Sequence, residues 1–581
     1  MVAAGSIKRG VPEISRAKYG LRFERTMGWR IMPEYESYEA ARSEFSWKLP
    51  DEYNPAAAVA RHGDRTALIE AASGERYSFA DIDHAAGRLA DALAALGIET
   101  GDRIGVIAPQ RAETPIAHLA AWQLGAVTIP LTTMFGPEAI AYRLDDAEAR
   151  AVVADPSVGA AVAEASEACP ALETVLRLSP TEWYVGDPQM DEVPAAAFAC
   201  EVREYDGFVT GRDPIDEPYA STPETTSAVM YTSGSTGPPK GVVHRHALWI
   251  GRAAAAYNFF DGGFGDGDVC WTPADWAWAS ALGGLLLGAW QHGDPVVAAP
   301  MRGFDPAAAY RLCARYDVVN GLAPPTALRM LMGEDPAEYE LSVRTIATAG
   351  EPLTPEILDW AAEEFTDLTI NEYYGQTELN LVIANASRWF PVRPGSMGKV
   401  LPGYEVRILD EETREPVPTG EVGELAIRPD DDRVFFAGYL DRPEATAAKR
   451  HDGWYVTDDL ARIDEDGYVW FESRADDVII TSGYRVGPLE VESVLLDHPA
   501  VEQVGVIGVP DDLRGEVIKA VVEAAPGVEP DETLREELRT KARDRLAAYE
   551  YPREIEFVET LPKTATGKIR RVELRAREAS D

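Results

Sequence analysis

The amino-acid sequence predicts an α/β chain: a large N-terminal domain of parallel-sheet layers with an added β subdomain, followed by a small α+β domain. Three observations carry that expectation. At 581 residues and 63.3 kDa the chain exceeds one ordinary core, so at least two domains are expected. Between Tyr77 and Ala154, helix-period and strand-length apolar patterns alternate, and such alternation builds parallel sheets covered by helices. Beyond Arg474 the rhythm becomes strand, helix, strand, strand, helix, a compact module of its own. The domains are therefore placed at 1–475 and 476–581.

In chain order, residues up to about Pro50 read as an irregular lead-in. A helix is expected over 77–96, with Phe79, Ile82, Leu89, Leu93 and Leu96 on one face, then a strand over 103–108 and a helix over 114–124. An apolar run over 127–130 and a strand over 151–154 continue the pattern, while 181–222 is rich in Pro, Gly and acids and reads as a surface excursion. Thr354 and Pro355 supply an N-cap and a first-turn proline for a helix to about Phe365. Residues 403–428 are strand-like and punctuated by Pro416, Pro418 and Gly420, which suggests the β subdomain. The C-terminal module is read as strands over 478–481, 504–509 and 517–523 with helices over 489–496 and 534–546.

The net charge of −42, from 97 acidic and 55 basic residues, exceeds what solubility requires. Only ten of the basic residues are lysine. An acidic interaction tail and a whole surface adapted to high salt both fit this balance; the acids are spread from Glu13 to Asp581, which favours the second. At molar salt the Debye length is only ~3 Å, so self-repulsion is largely screened. The same charge argues against a nucleic-acid partner. Cys169, Cys200, Cys270 and Cys313 have neither close pairing nor metal spacing and read as buried thiols in a reducing compartment. Lys8 and Arg9 precede no apolar run, and the most apolar stretch, 276–290, is too short to span a bilayer, so a cytoplasmic protein without membrane insertion is expected. Whether it is a homo-oligomer is left open.

Residues 231–241 hold Thr232, Ser233, Gly234, Ser235, Thr236, Gly237, Lys240 and Gly241. Glycine lets a backbone approach phosphate oxygens, hydroxyls donate to them and lysine adds charge, so the stretch reads as a phosphate cradle between two strands. Composition alone would equally suit a flexible Ser/Gly linker. It is not the P-loop of nucleotide enzymes, because Lys240 lacks a preceding glycine and a following Ser or Thr. The order of its residues resembles the phosphate loop of the adenylate-forming superfamily, which comprises acyl- and aryl-CoA synthetases, peptide-synthetase adenylation domains and luciferases. Three later motifs stand in the expected order, and the resemblance covers roughly 54–575.

That resemblance implies ATP, Mg2+ and coenzyme A as cofactors and assigns roles residue by residue. In Asn371-Glu372-Tyr373-Tyr374-Gly375-Gln376-Thr377-Glu378 it implies adenine stacking on Tyr374, α-phosphate contact by Thr377 and Mg2+ held through Glu378. Glu372, Tyr373, Gly375 and Gln376 fall in the same nucleotide-binding run, and Gly350-Glu351-Pro352 resembles the loop bordering the adenine. Trp454-Tyr455-Val456-Thr457-Asp458-Asp459 resembles the ribose-binding segment, with Asp459 on the hydroxyls; the family usually has glycine where Asp458 stands. Arg474 is placed near ribose and phosphate and Asp476 is the pivot of a mobile small domain. Ser482, Gly483, Tyr484 and Arg485 resemble the loop framing the pantetheine tunnel, with Arg514 as a further phosphate contact. The run 561–568 resembles the C-terminal catalytic loop, whose last lysine, Lys568, reaches between carboxylate and α-phosphate; a cation on both lowers the barrier to joining two anions. Lys563 and Lys568 are two of only ten lysines, and Lys240 is a third.

The implied reaction is ATP-dependent acyl-CoA formation through an acyl-adenylate. The segments 474–477, 482–496 and 507–520 look most like the medium-chain acyl-CoA synthetase branch. Acetyl-specialised members commonly carry tryptophan just before the glutamine of the Gln-Thr-Glu run, where this chain has Gly375, so a deeper acyl pocket is expected. Trp276, Trp278, Leu282, Pro325 and Thr326 are candidate walls, each of which could equally be core. Aryl acids such as benzoate and acyl delivery to a carrier protein are the alternatives.

Overall fold

A computed structural model describes residues 31–186, 188, 193–215, 217–232, 238–350, 353–474, 477–481, 484–511, 515–546, 551–564 and 568–578. Two sheets make the large domain. One has eight strands, and its parallel centre sets Arg103–Ile107 between Val127–Leu131 and Ala151–Ala154, continuing to Thr174–Arg177 and Glu201–Glu204. Its other half brings in Thr226–Thr232 and Lys240–Arg245, an antiparallel pair closing with Thr232 opposite Lys240. The two strands expected on either side of the phosphate-cradle motif are therefore present.

The second sheet has fourteen strands. Val318–Leu322, Thr345–Thr348 and Thr369–Gly375 run parallel in it, so their C-terminal ends share one rim. Beyond Thr369–Gly375 the sheet turns antiparallel through Leu381–Ala384, Ser396–Val400, Val469–Arg474, Trp454–Ile463, Gly423–Pro429 and Tyr404–Leu409. The expected β subdomain lies within the large domain, its strands hydrogen-bonded in one path to the parallel sheet. That continuity lays Asp459 opposite Arg474 in register.

Helix Phe79–Ala95 shows how local chemistry sets the elements. Ser78 caps it: its hydroxyl accepts from Asp81 N at 3.1 Å and Asp81 Oδ2 accepts from Ser78 N at 2.9 Å. The cap starts the helix two residues later than periodicity suggests, because Arg76–Ser78 pairs as a short strand with Thr66–Glu70. Phe79, Ile82, Leu89 and Leu93 are fully buried between the layers, each worth roughly 1.5–3 kcal/mol of transfer free energy. Helix Pro355–Glu364 lies as expected, but Thr354 at its N-cap makes no side-chain capping bond and its hydroxyl has no partner among the described residues. Residues 31–50 are not wholly irregular, since Tyr38–Glu44 is a helix capped by Ser37. The expected excursion includes the edge strand Glu201–Glu204, whose polar sequence hides it from any apolar pattern.

The small domain is a five-stranded sheet with Pro488–Leu496 and Glu532–Arg545 packed on it. Val501–Asp511 and Gly515–Ala524 form its long antiparallel pair, and Glu554–Val558 adds a parallel strand. Cys169, Cys270 and Cys313 are buried and Cys200 only half-buried, so the expectation of four buried thiols holds for three; all four are free. Burial pushes the Cys313 thiol up to about 12. Among the described residues no helix is long and apolar enough to cross a membrane.

Candidate active site

The rim of the fourteen-stranded sheet gathers the candidate residues around one carboxylate. Asp459 is buried, and its Oδ2 accepts from the Tyr374 hydroxyl at 2.6 Å and from Gln376 Nε2 at 2.7 Å. Gln376 Nε2 also donates to Thr457 O at 2.9 Å, and the Thr457 hydroxyl receives Asp459 N at 3.1 Å. Burial pushes the Asp459 carboxyl up, against the opposing influence of Arg474, the two donated hydrogen bonds and Lys568. A carboxylate held this way is an anchored acceptor, suited to hydroxyl groups of a ligand.

Asp458 takes φ 63°, the left-handed region, which explains why glycine would serve there. Aspartate is among the less costly replacements, and its carboxylate ion-pairs with Lys449. The backbone therefore still delivers Asp459 inward.

A second cluster lies beside the first. The Tyr439 hydroxyl donates to Glu378 Oε1 at 2.8 Å, and Lys240 Nζ stands 5.2 Å from the Tyr439 ring centroid. Tyr439 reaches this place because Gly438–Tyr439 pairs antiparallel with Lys240–Arg245. Tyr455 links the clusters, its hydroxyl 3.4 Å from Gln376 Oε1. Tyr439, Tyr455 and Thr457 were not singled out from sequence. The last two lie inside the ribose-segment motif, whereas nothing marks Tyr439.

The small domain closes over this rim. Gly350 has φ 93°, and a Cβ added to it would fall 3.5 Å from Lys568 Cε and 4.0 Å from Lys568 Nζ. Lys568 thus reaches from the C-terminal domain to the Gly350 turn and to the neighbourhood of Asp459.

Other candidates behave differently. Tyr373 is 3% exposed, and its ring stacks on Phe259 at 4.5 Å, so its side chain packs in the core. Glu372 is buried likewise, and desolvation pushes its carboxyl up to about 8 despite a backbone hydrogen bond from Leu353, so at neutral pH it is mostly a neutral acid. A Cβ on Gly375 would lie 2.5 Å from Asn380 O and 3.2 Å from Leu381 Cα. The glycine is thus required by the close approach of the next strand, and the space a side chain would take there is partly filled by backbone. Trp276 and Leu282 are fully buried in the core between the sheets, Leu282 within a π-helical turn, Ser280–Leu286. Trp278 is half-buried and meets Phe135 edge to face at 6.3 Å. Pro325 starts helix Pro325–Leu331, whose Ala327 and Leu328 pack into a different apolar cluster, and the Thr326 hydroxyl accepts from Arg329. The proposed acid walls are thus split between two packing clusters.

Ser233, Gly234, Ser235, Thr236, Gly237, Glu351, Pro352, Asp476, Ser482, Gly483 and Arg514 lie outside the described residues, as do the side chains of Tyr484 and Arg485. Thr377 and Glu378 are half-buried at the rim, and Thr232 ends its strand there.

Residues 56–440 match the family model for AMP-binding enzymes, and 490–568 match the model for the AMP-binding enzyme C-terminal domain. The chain belongs to the AMP-binding enzyme family. It is 38% identical over 511 residues to acyl-coenzyme A synthetase ACSM4, mitochondrial, of Rattus norvegicus, covering 87% of this chain and 84% of the relative. It is 32% identical over 570 residues to acyl-coenzyme A synthetase ACSM3, mitochondrial, of Mus musculus, covering 94% of each. Among solved structures, the anthranilate CoA ligase AuaEII in complex with anthranoyl-AMP superposes with a TM-score of 0.82 at 28% identity, over 92% of this chain and 98% of that one.

Proposed function

We propose that this chain is an ATP-dependent acyl-CoA synthetase for a medium-chain carboxylic acid, joining acid and ATP into an acyl-adenylate with release of pyrophosphate and then transferring the acyl group to CoA. Family membership and the acyl-coenzyme A synthetase relatives support the reaction class. The observation that carries the assignment of parts is the meeting of Lys568 with the Asp459 cluster over the Gly350 turn. Asp459 would take the ribose hydroxyls, Tyr374 the adenine and Thr377 the α-phosphate. Arg474 lies alongside Asp459 and would help to hold ribose and phosphate. Lys568 would stand between the attacking carboxylate and the α-phosphate, where its charge offsets the repulsion of two anions.

The residues suit Mg2+. Glu378 offers an oxygen ligand oriented by Tyr439, and among the described residues no group of three or more His, Cys, Asp or Glu side chains forms a dedicated cage, which fits an ion that binds through one carboxylate and phosphates. When bound, the ion would neutralise phosphate charge. Lys240 would serve the same phosphates from the opposite strand. The small domain, taken from residue 476, would rotate about Asp476 to bring the loop with Ser482, Gly483, Tyr484 and Arg485, and with Arg514, to CoA. An aryl acid is the second reading, favoured by the anthranilate ligase among the structural neighbours.

The test is pyrophosphate and AMP release with MgATP and CoA in molar KCl, across acetate, butyrate, octanoate and benzoate. CoA-dependent AMP release that peaks at butyrate or octanoate supports the proposal, and a peak at benzoate selects the aryl reading. Pyrophosphate without CoA-dependent AMP moves the enzyme to carrier-protein loading. The charge of −42 adds a salt arm: helical signal and activity are expected to fall on desalting, and full retention would sink the high-salt reading.

A further inference from the structure

The reading of Lys568 as the lysine of adenylation leaves open what holds it in place, since it stands on a loop of a domain that must turn. The loop closes on itself: Lys563 pairs with Ile569, Thr564 N donates to Lys568 O at 2.7 Å, Lys568 N donates to the Thr564 hydroxyl at 3.1 Å, and Arg570 N donates to Pro562 O at 2.8 Å. Three residues after Lys568 the chain enters helix Arg571–Glu578, and its first residue is the hub of a largely buried ion network. Arg571 Nη2 contacts both Glu492 carboxylate oxygens, at 2.8 and 2.6 Å, and its Nη1 reaches Asp477 Oδ2 at 3.2 Å. Arg575, one helical turn on, donates to Asp477 Oδ1 at 2.8 Å, and Glu492 Oε1 also accepts from Val506 N at 2.7 Å. Asp477 and Glu492 are 9% and 5% exposed, so this is not a solvated surface pair.

The placement of Asp477 makes the network more than packing. It follows directly on the proposed pivot, and its backbone N–H donates to Arg474 O at 3.1 Å, the strand residue opposite Asp459. Asp459 is thereby joined to Lys568 by a short path: across the ladder to Arg474, through the turn to Asp477, and through one guanidinium to the start of the catalytic loop's helix. Burial alone would weaken the protonated form of Arg571, but the two carboxylates more than offset it and hold its pKa above the ordinary value. An arginine fork can bridge two carboxylates at fixed angles, which a lysine point charge cannot.

We propose that Arg571 and Asp477 are positioning residues for Lys568, tying the catalytic loop to the segment just beyond the pivot so that domain closure sets Lys568 over the site as part of one rigid body. This inference rests on the role given to Lys568 above. It differs from a merely stabilising network in what it predicts for the two half-reactions, because only adenylation uses Lys568.

The test measures pyrophosphate release on adenylation and, separately, CoA-dependent AMP release from preformed acyl-adenylate, for Asp477→Asn, Arg571→Met and Lys568→Ala in the full chain. Asp477→Asn keeps shape and leaves the Arg571–Glu492 pair intact, so it guards against simple unfolding of Arg571→Met. We expect adenylation kcat to fall ~10-fold or more in Asp477→Asn and up to ~10²-fold in Arg571→Met, the scale of an ångström-sized misplacement. KM for ATP and thiolysis of the preformed adenylate should stay within ~3-fold, and either change should add nothing in the Lys568→Ala background. Equal loss in both half-reactions, the same loss repeated in Lys568→Ala, or wild-type adenylation by Asp477→Asn would overturn the inference. Undiminished adenylation by Lys568→Ala itself would overturn the functional reading beneath it, which separates the two failures.

Discussion

The residues proposed for the nucleotide and those proposed for the acid are held by different physics. On the nucleotide side, Tyr374 and Gln376 converge on Asp459 at 2.6 and 2.7 Å, and Tyr439 fixes Glu378 at 2.8 Å. Among the residues proposed as acid walls, Trp276 and Leu282 are fully buried among apolar neighbours and Trp278 meets Phe135 edge to face. Directional contacts demand particular residue types at particular spacings, whereas an apolar wall needs only volume and shape, which many residue sets can supply. A motif therefore reports how the phosphate and ribose are held and says little about which acid is chosen.

The strongest way to break this contrast is at Lys568, where the directional side is most concentrated. Lys568→Ala should cost ~10²-fold or more in adenylation, read as pyrophosphate release, while thioester formation from preformed acyl-adenylate survives; equal loss of both would contradict the assignment. Asp459→Ala comes next. Losing an anchored charged acceptor worth about 1.5–3 kcal/mol per hydrogen bond should raise KM for ATP by ~10- to 10²-fold with a smaller change in kcat, and an unchanged KM would remove Asp459 from the nucleotide site.

On the acid side, Trp278→Ala should alter the ratio of kcat/KM between butyrate and octanoate by ~10-fold, the usual reach of an apolar pocket, without moving KM for ATP. If the ratio holds and ATP binding suffers instead, the wall is misassigned. The smallest effect on turnover is expected at Glu372, which sharpens the contrast by acting on stability. The folded chain keeps its proton up to about pH 8, whereas the ordinary value is 4.5, so stability is greatest below the lower value and declines as pH rises between the two. Glu372→Gln should flatten that part of the decline in thermal melts, and an identical slope would show that the carboxyl is not buried as described.

The comparison also explains how much was legible beforehand. The elements around 103–154 followed from apolar periodicity, because buried parallel strands and amphipathic helices must be apolar at fixed intervals. Tyr373 sits inside a motif whose neighbours face the rim, yet in a strand adjacent side chains point to opposite faces, so Tyr374 meets Asp459 while Tyr373 stacks on Phe259. The edge strand Glu201–Glu204 was missed since its ladder is made by backbone groups under polar side chains. Gly375 was read as an absent side chain that leaves room, although its neighbour across the ladder comes too close for any Cβ.

By itself the sequence determined the class of this protein, through the order of motifs that resemble those of adenylate-forming enzymes, and its acidic, lysine-poor composition. These are local properties, set by which groups can bond phosphate, hydroxyl or water at a given spacing. Only the tertiary structure decided that Tyr439, from a distant strand, holds Glu378, that the β strands after residue 400 join the parallel sheet, and that Arg571 pairs with Asp477. Each of these is a contact between segments far apart in the chain, and long-range contacts are chosen by the packing of the whole molecule, which no single stretch of residues encodes.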